Sequence, residues 1–247
     1  GNYKDCKGAD VVVICGGVAQ KPGQTRMDLA KINVKIISDI VKNIKKYTKK
    51  AIILMVTNPL DVLTYTALKV SGYPKNQVFG TGTTLDSSRF RYLLASKFKI
   101  DPHSMGAYLI GEHGDSEVPV YSHANVMGES IKSLKNYNKK DTELAYKKTK
   151  NAAYEIISKK GATYYGIGAA IARIVRAILN NENHAFPVSS LMTGEHGLRN
   201  ICISLPAIIG RTGIKKILDI KLSDDESKKL KKSARVIREA LDDAGVK

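Results

Sequence analysis

Two short apolar runs, each followed by an amphipathic segment, constrain the fold of this chain more than any other feature. The runs are DVVVIC at residues 10–15 and AIILMV at residues 51–56. Both are too short for helices and are apolar on both faces, as buried strands of a parallel sheet are. Between them the spacing predicts a helix over about 25–47, with one apolar stripe made of Leu29, Ile32, Ile36, Ile40 and Ile44. Strand, helix and strand in this order predict a parallel α/β sheet.

The pattern changes near residue 81. Helices are predicted over 85–98 and about 140–160, the second ending at Gly161, and strands over FPVSSLM and NICISL. Ser223 is predicted to cap a last helix, whose buried face carries Leu230, Ala234, Ile237 and Leu241. We therefore predict an α/β domain over residues 1–80 and an α+β domain over residues 81–247.

Composition and charge argue against several classes of function. Among the 247 residues no run of eighteen apolar residues occurs, so a membrane span is not expected. The net charge of +17 comes from lysines that alternate with apolar residues, as in VKNIKKYTKK, which indicates solvated helix faces rather than a nucleic-acid surface. The three cysteines have no CxxC spacing, and no secretory leader precedes GNYKDC. These features favour a cytoplasmic protein with no membrane or nucleic-acid partner.

A glycine-containing loop, GGVAQKPGQTR (16–26), follows the first predicted strand. Ligands of open α/β sheets bind at the carboxyl ends of the strands, and Gly16 and Gly17 would let a phosphate or ribose approach the backbone closely. Pro22 and Gly23 would suit a mobile lid. An ordinary connecting loop explains the same residues equally well.

The segment LDSSRFR (85–91) places a carboxylate and a guanidinium on one helix face. Asp86 and Arg89 are three residues apart, and the arginine fork could bind a substrate carboxylate at two points. A surface ion pair of little energetic value is the alternative. Arg91 lies two positions further along and points elsewhere.

The tetrapeptide GEHG occurs twice, at residues 111–114 and 194–197, and each copy carries a histidine that could act as an acid or base. Asp115 and Glu117 follow His113, so a metal site is conceivable there. However, the chain has neither HExxH nor spaced histidine pairs, and we predict no metal. The chain also lacks the GxSxG elbow of serine hydrolases.

Four blocks together resemble the L-lactate/malate dehydrogenase family in order and spacing, along essentially the whole chain. They are GGVAQKPGQTRMDLAKIN, TNPLDVLTYTALK, GTGTTLDSSRFR and IGEHGDSEVPV. The resemblance implies part of a doubly wound Rossmann sheet followed by an α+β catalytic domain, NAD as cofactor, and hydride transfer between the cofactor and L-lactate or pyruvate. It also implies a homotetramer.

The resemblance assigns catalytic roles to three residues. His113 would exchange the proton of the lactate hydroxyl, and Asp86 would hold its imidazole in the useful tautomer. Arg26, on a closing loop, would bind the substrate and polarise its carbonyl. Residues that would bind substrate are Gln20, Asn58, Arg89 and Thr163, and residues that would contact the cofactor are Gly16, Gly17 and Asn58.

Substrate choice would depend on Gln20, because the malate enzymes of the family carry an arginine at that position. A neutral amide suits the methyl group of pyruvate and leaves a second carboxylate unpaired. Lactate is therefore expected. A malate or other 2-hydroxy acid dehydrogenase, or an inactive fragment that keeps the fold, is the alternative.

The sequence departs from the family in two places. The leading segment with GxGxxG is absent, so we expect a fragment that binds NAD poorly by itself and leaves a sheet edge open. In relatives that a sugar bisphosphate activates, a basic residue and a histidine bind the effector. Arg91 fits the first position, but Gly106 replaces the histidine, so weak or absent activation is expected. The family assigns no role to His196, which we expect at the surface or an interface.

Overall fold

The computed structural model describes residues 1–18 and 26–246, with the backbone alone for residues 26–28. The helices are α1 (Arg26–Ile44), α2 (Leu60–Ser71), α3 (Thr84–Phe98), α4 (Lys139–Lys160), α5 (Tyr165–Leu179) and α6 (Asp224–Asp243). The longer strands are β1 (Val11–Ile14), β2 (Ile52–Met55), β3 (Val78–Gly80), β9 (His184–Thr193), β10 (Arg199–Gly210) and β11 (Gly213–Ile217). The short strands are β4 (Met105–Gly106), β5 (Leu109–Ile110), β6 (Val118–Pro119), β7 (Asn125–Val126) and β8 (Glu129–Ser130).

One six-stranded sheet, in the order β1-β2-β3-β9-β10-β11, runs through both predicted domains. The strands β1, β2 and β3 are parallel, as predicted. The strands β9, β10 and β11 continue the sheet in antiparallel fashion, and Gly80 pairs with Ser189 where the two parts meet. The α/β class is confirmed, whereas the domain boundary near residue 80 stays a prediction.

Helices cover both faces of this sheet, and β2 shows why. Its side chains alternate, so that Ile53 and Met55 pack with α1 and α2, while Ile52 and Leu54 pack with α5. Every residue of β2 is buried. This two-sided burial explains the continuous apolar run in the sequence.

The strand β1 lies at one end of the described sheet, with β2 as its described neighbour. Its residues Val11, Val12 and Val13 are half-buried, although the sequence predicts a fully buried strand. The difference has a simple physical reason, because a strand that is paired on one side keeps its other edge accessible.

The predicted buried stripe of α1 is correct at Ile44 but wrong by about one position at Ile32, Ile36 and Ile40. The buried residues are Ala30, Asn33, Ile37, Val41 and Ile44, whereas Ile32 is 38% exposed and Ile36 and Ile40 are half-buried. Two apolar rows lie side by side on this helix, and the buried row contains a polar residue that the pattern could not select.

The last helix agrees with the prediction. The Ser223 hydroxyl caps α6 by accepting a hydrogen bond from the backbone N–H of Glu226. The Glu226 carboxylate in turn accepts a hydrogen bond from the backbone N–H of Ser223. The four predicted apolar residues of its inner face are all buried.

The corrected stripe of α1 can be tested with two identical truncations on one helix. We expect Ile37→Ala to lower the free energy of unfolding by about 2–5 kcal/mol, because it leaves a cavity in a fully buried position. Ile32→Ala should lower the free energy of unfolding by less than about 1 kcal/mol, because that side chain is already partly in water. Urea denaturation followed by circular dichroism measures both. Equal losses would contradict the assignment.

Candidate active site

The turn that carries the first GEHG lies beside the six-stranded sheet, directly after β5. Gly111 forms two backbone hydrogen bonds with Ser204 of β10, of 2.9 and 3.0 Å. These bonds fix the start of the turn, and His113 follows two residues later.

His113, Asp86 and Arg89 form one connected group. Nδ1 of His113 lies 2.7 Å from Oδ2 of Asp86, and because a carboxylate only accepts, Nδ1 carries the proton. Oδ1 of Asp86 accepts a longer bond, of 3.4 Å, from Nη1 of Arg89. Asp86 is buried in α3, whereas the His113 side chain keeps 26% of its surface exposed. Nε2 of His113 is therefore the nitrogen that can exchange a proton with a ligand.

The electrostatics of the group favour a protonated imidazole. Burial opposes charge on His113, but the Asp86 carboxylate and its hydrogen bond, with Asp61 and Glu117, raise the pKa of His113 to about 9. For Asp86, burial alone would raise the pKa, and the charge of His113 reverses the effect, so the pKa of Asp86 falls below its usual value. The pair is thus an imidazolium–carboxylate pair at neutral pH.

Glu117 is a buried carboxyl beside this pair. Its Oε1 atom is buried and has no hydrogen-bond partner among the described residues. Burial and the nearby Asp86 charge raise the pKa of Glu117 to about 8, so it holds a proton at neutral pH. The sequence offered Glu117 only as a weak metal ligand, since nothing in its spacing reveals burial.

A cavity of about 270 Å³ opens beside the histidine. It brings together Asn58, Asp86 and His113, which come from three separate segments of the chain. The other lining residues are Leu29, Pro59, Glu112, Gly114, Asp115, Glu117, Lys150, Ala153, Tyr154 and Ile157. Within the part of the chain that the structure describes, Arg89 and Thr163 are outside this wall. The Nη2 atom of Arg89 lies 3.9 Å from the point where a Cβ on Gly166 of α5 would stand.

A buried amide, which the sequence patterns did not select, holds the two loops that flank the cavity. Asn33 of α1 accepts from the backbone N–H of Val18 at 2.9 Å and donates to the carbonyl of Asn58 at 2.8 Å. The Thr57 hydroxyl donates to the carbonyl of Gly16 at 2.7 Å. These bonds tie the segment after β1 to the TNPLD turn.

Of the three residues predicted to contact a cofactor, Gly16 and Gly17 lie at the carboxyl end of β1, and Asn58 follows β2. Gly16 and Gly17 are exposed, and a Cβ on Gly17 would come within 2.5 Å of Cγ2 of Thr57. Only a glycine lets this backbone lie against the TNPLD turn and remain open to a ligand. With Asn58 in the cavity wall, this arrangement leaves the backbone open to the close approach of a ligand that the sequence predicts there.

Two predicted substrate residues cannot be placed. Gln20 lies outside the described residues, and so does the side chain of Arg26, whose backbone begins α1.

The second GEHG has a different environment. It forms a short 3-10 turn between β9 and β10, in which His196 has a left-handed φ of 50°. The Nε2 atom of His196 is buried and unpartnered among the described residues. It contributes nothing to the wall of the cavity beside His113.

Over residues 1–18 and 26–246 no group of three or more histidine, cysteine, aspartate or glutamate side chains could hold a metal ion. No helix in these described ranges is long and apolar enough to cross a membrane.

Comparison with known proteins gives the same family over both parts of the chain. The family model described as lactate/malate dehydrogenase, NAD binding domain, matches residues 1–80, and that of the alpha/beta C-terminal domain matches residues 83–246. L-lactate dehydrogenase 1 of Bacillus cereus is 46% identical over 245 residues, which cover 98% of this chain and 78% of that relative. L-lactate dehydrogenase of Acetivibrio thermocellus is 46% identical over 246 residues, with the same shares covered.

Solved structures similar to this fold are also lactate dehydrogenases. A lactate dehydrogenase enzyme from a Medee basin deep-sea metagenome library, MGS-M5, superposes with a TM-score of 0.96 at 45% identity and covers 99% of this chain and 80% of that one. The minor L-lactate dehydrogenase from Enterococcus mundtii, in the ligands-bound form, gives 0.95 at 43% identity, with coverage of 98% and 78%. On the sequence, the fold and the grouping of His113 with Asp86 and Arg89, the chain belongs to the lactate/malate dehydrogenase family.

Proposed function

We propose that this protein interconverts L-lactate and pyruvate with NAD as its cofactor, and that His113 is the acid/base group. The hydrogen bond between Nδ1 of His113 and Asp86 carries the proposal, because it leaves Nε2 to face the cavity. The relatives of this chain that are named L-lactate dehydrogenase support the choice of reaction. The cofactor, when bound, would supply the hydride acceptor for lactate as NAD⁺ and the hydride donor for pyruvate as NADH.

The residues of this chain would handle the proton and the substrate carboxylate. In lactate oxidation, Nε2 of His113 takes the hydroxyl proton as the C–H bond breaks, and in pyruvate reduction the imidazolium returns it to the carbonyl oxygen. Asp86 stabilises the protonated ring throughout. Arg89 would bind the substrate carboxylate, and Asn58 would hold the reacting oxygen and the nicotinamide ribose. Thr163 would line the substrate pocket, as the resemblance to the family implies.

The remaining assignments concern Gln20, the side chain of Arg26 and the assembly. Arg26 would polarise the reacting carbonyl, and Gln20 would favour pyruvate over oxaloacetate. We also propose a homotetramer, which the resemblance to the family implies.

The two copies of GEHG provide a matched pair of variants. We expect His113→Gln to lower kcat for pyruvate reduction by about 10²–10⁴-fold, since glutamine cannot transfer the proton. His196→Gln should retain wild-type activity. NADH oxidation at 340 nm measures both, with circular dichroism to verify the fold. Activity that survives His113→Gln, or a preference for oxaloacetate in the wild type, would contradict the proposal.

The raised pKa of His113 predicts the pH dependence. Pyruvate reduction needs the imidazolium, which is present below the pKa of about 9 and lost as the pH rises through it. Lactate oxidation needs the neutral ring, so its kcat/KM should rise over the same range. The profile of kcat/KM reports the free enzyme. If kcat/KM instead changes near pH 6.5, the ordinary pKa of histidine, then Asp86 does not raise the pKa of His113 as described.

Activation by fructose 1,6-bisphosphate should be weak or absent. Gly106 stands where the resemblance places the histidine that binds the effector in activated relatives, and a Cβ there would come within 2.5 Å of Nδ2 of Asn125 on the neighbouring strand, so a larger residue would have to displace that side chain. Arg91 is present, and burial with the nearby Arg173 charge lowers its pKa. We expect the KM for pyruvate to change less than about 2-fold in a titration with the sugar bisphosphate, where a tenfold change is worth about 1.4 kcal/mol. A tenfold fall would overturn this expectation.

A further inference from the structure

The turn that carries His113 is anchored by consecutive backbone amides. The N–H of Gly111 donates to the carbonyl of Ser204 in β10 at 2.9 Å. The N–H of Glu112 donates to the hydroxyl of Ser233 in α6 at 2.8 Å. Two neighbouring residues are thus fixed by two different elements.

The third amide has a charged partner. The N–H of His113 donates at 2.8 Å to Oδ2 of Asp61, the second residue of α2. The other oxygen of Asp61 accepts from the hydroxyl of Ser189 in β9 at 2.6 Å. Asp61 is only 3% exposed, and both of its oxygens are occupied. A carboxylate that accepts from an N–H makes a stronger bond than a neutral acceptor would.

We propose that Asp61 is a positioning residue for the acid/base histidine: it holds the backbone of His113, as Asp86 holds its ring. This role rests on the function proposed above. Carboxylates of two different helices thus fix the backbone N–H and the ring Nδ1 of His113, and these two contacts set the orientation of Nε2.

The same carboxylate acts on the imidazole through its charge. Asp61 lies in the first turn of α2, where the helix dipole favours a negative side chain. Burial raises the pKa of Asp61 to about 6, so the group is ionised above that pH and favours protonation of His113. Other charged or titratable groups around these two are Asp86 and Arg89 of α3, Glu112 and Glu117 of the turn, Lys150 of α4 and Cys202 of β10.

Two substitutions at Asp61 separate hydrogen bonding from charge. In Asp61→Asn the amide oxygen can accept from the His113 N–H, and the amide nitrogen can donate to the Ser189 hydroxyl, which then accepts. This variant keeps both bonds and removes the charge. Asp61→Ala removes both bonds and the charge.

We expect Asp61→Ala to lower kcat for pyruvate reduction by about 10–100-fold, because a small displacement of a catalytic group has effects of this size. Asp61→Asn should keep kcat within about 5-fold of the wild type. In both variants the titration of the His113 ring, followed by NMR, should move to lower pH. Ser189→Ala leaves the hydrogen bond between Asp61 and the His113 N–H in place, so its kcat should resemble that of Asp61→Asn. Because the Asp61 charge remains, the titration of the His113 ring should shift less than in Asp61→Asn.

Thr66→Ala is the matched control for stability. Thr66 is buried in the same helix, and its hydroxyl bonds locally to the carbonyl of Val62 at 2.8 Å. If Thr66→Ala shifts the His113 titration as much as Asp61→Asn does, or if Asp61→Ala keeps wild-type kcat, the proposal is overturned. Should Asp61→Ala not fold, a loss of more than about 5-fold in kcat in Asp61→Asn, which keeps both bonds, would overturn it as well. A wild-type protein that does not reduce pyruvate would refute the proposed function, while an NMR signal of the His113 amide proton that is the same in the wild type and in Asp61→Ala would still overturn the role of Asp61.

Discussion

Burying the Asp86 carboxylate in α3 removes it from water, and this cost is offset because His113 and Arg89 supply hydrogen bonds and positive charge from two directions. The offset works only if the imidazole is protonated or presents its Nδ1 proton to the carboxylate. Ring orientation, tautomer and basicity of His113 therefore follow from one contact. The turn, the cavity and the helix α3 have to meet at that contact, so the site depends on the sheet that brings them together.

The carboxyls around the imidazole differ in their ionisation near neutral pH. Three carboxyls act on it, and their ionisation differs because their environments differ: the pKa of Asp86 is lowered, that of Asp61 is about 6 and that of Glu117 is about 8. At pH 7 two of them are charged, opposite the imidazolium and the guanidinium of Arg89. Glu112, Asp115 and Lys150 also lie in the cavity wall, and each further negative charge there would oppose the binding of a substrate carboxylate. Glu117, which keeps its proton, avoids adding another.

The local sequence pattern predicts an element whose buried residues repeat at helical spacing within that element. It does not predict burial or strand pairing that depends on residues far away in the sequence. The inner face and the cap of α6 were predicted correctly because Ser223 and its apolar stripe act within one helix. The stripe of α1 was misplaced because Asn33 is buried by its bonds to Val18 and Asn58. The continuation of the sheet by β9, β10 and β11 was missed because pairing of distant strands leaves no local signal.

The two copies of GEHG show where the chemistry of a motif comes from. The His113 ring is held by a residue 27 positions away and its backbone by one 52 positions away, and both partners are carboxylates on helices. His196 has the same neighbours in sequence, yet it sits in a 3-10 turn at a left-handed φ, without a described partner for its buried Nε2 atom. The tetrapeptide supplies a turn that can present a histidine. Whether that histidine becomes an acid/base group is decided by the charges that the rest of the fold brings within hydrogen-bonding distance.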